Sequence, residues 1–92
     1  MEDTRIPIEE LVAFPTRFVL KAIGHHTLAF SGDCLKAVRT ALGDDRKVEL
    51  RTRLSSKAAY VSVSLTTEVR SSDELQAAYA GLRAVKGVAT VL

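Results

Sequence analysis

From Tyr60 to Val69 the chain alternates without a break. Val61, Val63, Leu65 and Val69 fall on one phase, and Tyr60, Ser62, Ser64, Thr66 and Glu68 on the other. A period of two belongs to a β-strand with one face buried and the other facing water. Such a strand cannot stand alone. Its backbone groups need neighbouring strands, and its apolar face needs a second layer. The remaining residues must supply both. The hydroxyl-rich face has no catalytic base beside it in sequence, so the segment specifies a fold and a surface before it specifies a reaction.

The rest of the chain reads as the required partners. Pro15 directs Phe14 to an extended conformation. A first strand follows over about Thr16–Ile23, with Phe18, Leu20 and Ala22 on one face and Arg17, Val19, Lys21 and Ile23 on the other, and Gly24 as its end. From Thr27 to Leu42 the period changes to that of a helix: Phe30, Cys34, Ala37, Val38 and Ala41 make one apolar stripe. Thr27 is the expected N-cap and Gly43 the C-terminal glycine. Val48, Leu50 and Leu54 then alternate with Lys47, Glu49, Arg51 and Arg53, a second strand joined to the third by a turn at Ser55–Ala58. Ser71-Ser72-Asp73-Glu74 is a capping-box pattern, with Ser71 as cap and Glu74 reaching back. Leu75, Ala78, Tyr79, Leu82 and Val85 continue it as a second helix closed by Gly87, and Val88–Leu92 is a short last strand.

The order strand, helix, strand, strand, helix, strand predicts an α+β, ferredoxin-like βαββαβ sandwich: a four-stranded antiparallel sheet with two helices on one face. Spatially the strands should run fourth, first, third, second. The helices should cover Phe18, Leu20, Val48, Leu50, Val61, Val63 and Leu65. The expected organisation is a leader over residues 1–13 and a single domain over 14–92.

Composition narrows the function classes. Ninety-two residues bury one modest core. A formal charge of +2 with interspersed signs does not call for a polyanionic partner. One cysteine, Cys34, allows no internal disulfide and fits a reducing compartment. It sits on the first helix's apolar stripe and reads as a small core residue. The N-terminal Met-Glu-Asp-Thr-Arg has no apolar h-region, and no run approaches a membrane span, so the expected location is the cytoplasm. Adjacent His25 and His26 are poor metal-ligand partners and read as a loop pair. No catalytic triad, Cys-His pair or phosphate-binding glycine loop is present, and a non-enzyme is expected.

The open sheet face is therefore where function is sought. The candidate ligand-binding set is Lys21, Arg51, Arg53, Ser56, Lys57, Tyr60, Ser62 and Ser64. Arg51, Arg53 or Lys57 would hold a small carboxylate, with Ser62, Ser64 and Tyr60 donating hydrogen bonds. The same residues also suit an ordinary solvated sheet face. Two other classes stand beside this one. Arg46, Lys47, Arg51, Arg53 and Lys57 form a basic hairpin, as RNA-binding domains of this plan have, but such domains stack bases on aromatics and this face offers Tyr60 alone. An interaction module would use the uncharged last strand, Val88, Thr90, Val91 and Leu92, to pair with a partner protein or form a homodimer.

Phe14-Pro15-Thr16-Arg17-Phe18, Lys21-Ala22-Ile23-Gly24, Ser55-Ser56-Lys57, Tyr60-Val61-Ser62-Val63 and the terminal Val91-Leu92 occur in an order and spacing that resembles the small bacterial YbeD-like family. The resemblance spans residues 11–92. It implies a ferredoxin-like fold similar to ACT regulatory domains, and a regulatory role in which lipoate is a ligand rather than a cofactor. Where the family often has glycine after Ser-Ser-Lys, this chain has Ala58. A glycine there would supply a positive φ or close backbone approach.

Overall fold

The alternating segment forms β3, Tyr60–Val69, and it is paired along both edges. In the computed structural model, which describes residues 13–92, β1 (Thr16–His25) lies antiparallel to it from Thr16 opposite Val69 to His25 opposite Tyr60. On its other side β2 (Val48–Leu54) pairs from Val48 opposite Thr67 to Leu54 opposite Val61. The short β4 (Val88–Val91) adds to β1, so the sheet order is β2-β3-β1-β4 as expected. All but Ala13 of the expected leader lies outside the described residues. The Phe14–Pro15 peptide bond is cis.

Helices α1 (Phe30–Leu42) and α2 (Ser72–Arg83) form the second layer. Phe30, Cys34, Val38 and Leu42 from α1 and Leu75, Ala78 and Leu82 from α2 meet Leu20, Ala22, Val61, Val63, Leu65 and Val69 in one core. Burying each of the larger side chains stabilises by roughly 1.5–3 kcal/mol. Thr67 shares the buried phase of β3, and its hydroxyl is satisfied by donating to the Lys47 carbonyl at 2.8 Å.

Several boundaries differ from the sequence reading, each for a visible reason. β1 runs through Gly24 to His25. Gly24 marks close packing: a Cβ there would lie 2.4 Å from the Phe30 ring and 2.7 Å from the Gly87 carbonyl. Helix α1 starts at Phe30, with Ala29 at its N-cap and no side-chain cap, so Thr27 is a loop residue. Gly43 does cap its C-terminus, donating its N–H to Arg39 O at 2.8 Å. Helix α2 ends at Arg83 with Ala84 as cap, four residues before Gly87. Gly87, at φ 89°, instead turns the chain into β4. Ser71 caps α2 by accepting from the Glu74 N–H at 3.2 Å, but the Glu74 carboxylate accepts from the Arg70 N–H rather than that of Ser71.

Two further corrections concern β2. Leu50 is expected in the core but is 37% exposed, because the helices cover only the Val48 end of this edge strand. Arg46, assigned from sequence to an exposed basic hairpin, is buried. Its guanidinium grips the Glu74 carboxylate through two hydrogen bonds of 2.9 Å and donates to the Glu68 carbonyl at 2.8 Å. This joins the start of β2 to the end of β3 and the first turn of α2. Hydrogen bonds from Arg46 outweigh partial burial and, with the Arg70 N–H, hold the Glu74 carboxyl down at about 2.

Candidate functional site

Register places the open-face residues in rows across three strands. Arg51, Ser64 and Lys21 form one row, and Arg53, Ser62 and Ile23 the next, which Thr90 of β4 extends. With strands about 4.8 Å apart, Arg51 and Lys21 stand on either side of Ser64 with Cα atoms roughly 10 Å from each other. Beyond these rows Tyr60 packs on His25, ring centroids 5.1 Å apart and planes tilted by 31°. Arg53, Tyr60 and Ser62 surround a hollow of about 220 Å³ with Ile23, Leu54, Ser55 and Val61. Its walls are mainly apolar, and Arg53 is the charged residue among them.

Charge is distributed unevenly along this face. Toward the other end Arg17 pairs with Glu49 at 2.8 Å and Arg70 with Glu68 at 3.1 Å. The recess between them, about 300 Å³, is lined by both acids and by Pro15, Thr16, Lys47, Thr66 and Thr67. None of the sequence-derived candidates lines it. Among the described residues Lys21, Arg51, Arg53 and Lys57 have no carboxylate partner. The hairpin end of the face therefore presents a positive field beside an apolar hollow, which can hold a carboxylate with a short hydrocarbon tail.

The turn that closes the hairpin is held in place. Ser55 N–H donates to Tyr60 O at 2.9 Å, Ala58 N–H to Ser55 O at 2.9 Å, and Tyr60 N–H to the Ser55 hydroxyl at 3.1 Å. Ala58 lies at φ 56°, the left-handed region in which glycine is favoured. The β1–α1 loop clamps the turn: His26 N–H donates to Ala59 O at 3.1 Å, and His26 Nδ1 contacts Ala58 O at 3.1 Å. A carbonyl can only accept, so Nδ1 carries the proton of this bond. Ser56 and Lys57 stand in the turn, outside the hollow.

The structure thus gathers Arg53, Tyr60 and Ser62 at one hollow, sets Arg51, Ser64 and Lys21 in the adjoining row, and leaves Ser56 and Lys57 apart. Leu54 and Val61 belong to the hollow, although the sequence places Val61 on the covered face and Leu54 only on the apolar phase of the second strand. His25 and His26, read as a loop pair, support Tyr60 and the turn, and neither contact has a local sequence signal. Cys34 is fully buried, and burial, with the Asp33 charge, pushes its thiol up to about 11, so it is protonated and inert at neutral pH.

Sheet order, helix layer and open face define a ferredoxin-like α+β fold. Solved structures share it. The solution structure of protein HP0495 from H. pylori superposes with a TM-score of 0.75 at 15% identity, over 98% of both chains. The ACT domain from GTP pyrophosphokinase of Chlorobium tepidum superposes with 0.55 at 21% identity, over 84% of this chain and 97% of that one. At such identities the likeness is one of fold. Residues 9–92 match the family described as "Protein of unknown function (DUF493)", and the chain belongs to that family. A UPF0250 protein of Shewanella halifaxensis is 36% identical over 94 residues and another, from Shewanella putrefaciens, 33% over 93, each covering the whole of both chains. These matches bear out the YbeD-like resemblance, and neither UPF0250 name states a reaction, ligand or partner. No helix among the described residues is long and apolar enough to cross a membrane.

Proposed function

We propose that this chain is a non-catalytic, cytoplasmic regulatory domain that binds lipoate or another small carboxylate at the hairpin end of its open sheet face. One observation carries the reading: Arg51, Arg53 and Lys21 stand without carboxylate partners among the described residues, around Ser62 and Ser64 and beside an apolar hollow. The carboxylate would accept from Arg53, with Arg51 and Ser62 nearby, and the tail would lie against Ile23, Leu54 and Tyr60. Ser64, Lys21 and the turn residues Ser56 and Lys57 would tune the field without touching the tail. In this reading no bond is made or broken, and the bound state shifts the affinity of the domain for a partner enzyme.

Thermal unfolding with lipoate, octanoate and free amino acids tests the proposal. A ligand at about 100 times its dissociation constant stabilises by about 2.7 kcal/mol. For a domain of this size that is a rise on the order of 10 °C. The shift should vanish in Arg53→Ala. If no acid raises the midpoint, the domain is not a receptor for them.

A further inference from the structure

β2 is an edge strand, and what it presents is patterned. Its outer edge has no neighbouring strand among the described residues, and all its residues but Val48 are exposed. On the open-face side stand Arg51 and Arg53, without carboxylate partners among the described residues, while Glu49 is taken by Arg17. On the helix side, Leu50 and Leu54 are 37% and 50% exposed. Beside Leu54 on that side, a second hollow of about 250 Å³ is lined by His26, Thr27, Leu28, Ser31, Thr52 and Val61. Edge strands that must stay unpaired usually cover their apolar side or point charge inward. This one keeps charge on one face and leaves apolar side chains uncovered on the other.

Self-pairing does not fit the pattern. An antiparallel match between two copies that keeps like faces together can centre on any residue from Glu49 to Arg53. Centred on Glu49 it sets Lys47 opposite Arg51, and on Leu50 it sets Lys47 opposite Arg53. Centred on Thr52 it sets Arg51 opposite Arg53, and centred on either arginine it sets that arginine against itself. Like charges directly opposite are destabilising, and the registers centred on Leu50 and Arg51, which also set Glu49 opposite an arginine, must first take it from Arg17, so each of these registers carries a penalty. A strand with carboxylates opposite Arg51 and Arg53 and apolar residues opposite Leu50 and Leu54 sets no like charges against the arginines, and it meets Glu49 with that carboxylate already held by Arg17.

We infer that β2 is a docking edge that accepts an acidic, alternating β-strand of a partner protein, with its carboxylates over the open face and its apolar residues against Leu50, Leu54 and the hollow beside them. The main chain supplies ladder hydrogen bonds, and the two arginines select partner and register. The inference stands on the edge of β2 and goes beyond the small-carboxylate reading, with which it shares Arg51, Arg53 and Leu54.

The test uses the full chain, isotope-labelled, and a blocked linear heptapeptide alternating Glu with Leu or Val. Binding should protect backbone amides within residues 48–54 from exchange. Replacing Glu by Lys in the peptide should weaken it by at least about tenfold. N-methylation of one alternate set of peptide amides should abolish binding, and of the other set leave it. Leu50→Lys should lose the peptide yet keep any thermal shift with lipoate. Ser62→Leu, which fills the open-face hollow, should lose the lipoate shift yet keep the peptide, so the two readings fail separately. No binding at millimolar peptide, binding without protection at residues 48–54, equal loss from both N-methylated forms, or association of the free protein through these residues would each overturn the inference.

Discussion

The two ends of the β2–β3 hairpin are built from the same kinds of residue and behave oppositely. At the base every arginine has an acid: Arg46 holds Glu74, Arg17 holds Glu49 and Arg70 holds Glu68. At the tip Arg51, Arg53 and Lys57 have none among the described residues. The base converts charge into architecture, since the Arg46 grip joins two strands to a helix. The tip leaves its charge to the surroundings, beside apolar residues the helices do not reach. Pairing, rather than the count of basic residues, separates a structural arginine from one able to meet a ligand or partner.

The base of the hairpin should be by far the more sensitive end. Arg46→Ala or Glu74→Ala strands the other partner of a largely buried pair and should cost about 3–5 kcal/mol in urea unfolding. Arg46→Met combined with Glu74→Leu should recover much of that loss. At the tip, Arg53→Ala should change stability by less than about 0.5 kcal/mol. Equal losses at the two ends would dissolve the contrast.

Acid sharpens it at smaller scale. The Glu74 carboxyl is held at about 2 in the folded chain against a reference value of 4.5, so the folded state binds fewer protons than the unfolded state between those values. The stability this group contributes is fully present above its unfolded value and is lost as pH falls through about 2. Allowing for screening of the quarter of the side chain that stays exposed, the contribution is about 2 kcal/mol. Urea unfolding from pH 6 down to pH 2 should show this decline, and Glu74→Gln should flatten it. A decline unchanged in Glu74→Gln would place the acid sensitivity in other groups.

The smallest effect lies in the turn at the tip. Ala58 occupies a left-handed conformation, and Ala58→Gly should stabilise by up to about 1 kcal/mol, the relief of the Cβ clash being partly offset by the added freedom of the unfolded chain. A loss on making this change would mean that the turn does not hold its positive φ in solution.

Much of this was legible in the chain. Strict alternation at 60–69 identified the central strand, the period change from Thr27 identified the first helix though not its start at Phe30, and Ser71 marked the start of the second. The open-face residues could be enumerated because a period of two assigns every strand residue to a face. Element ends were less legible. Gly24 and Gly87 were read as terminators by local propensity, whereas Gly24 makes room for Phe30 and Gly87 turns the chain into β4. Arg46 was misplaced because nothing local distinguishes a buried arginine: its partners lie on Glu68 and Glu74, far along the chain.

By itself, then, the sequence determined the order of the elements, the two faces of each strand and the apolar stripes that make one core. These follow from short-range periodicity, which backbone geometry imposes on any chain. Only the tertiary structure decided which charges are spent on one another, how far the helices reach over β2, and that His26 clamps the turn at Ala58. Those outcomes depend on distances between residues remote in sequence, and no local pattern encodes them.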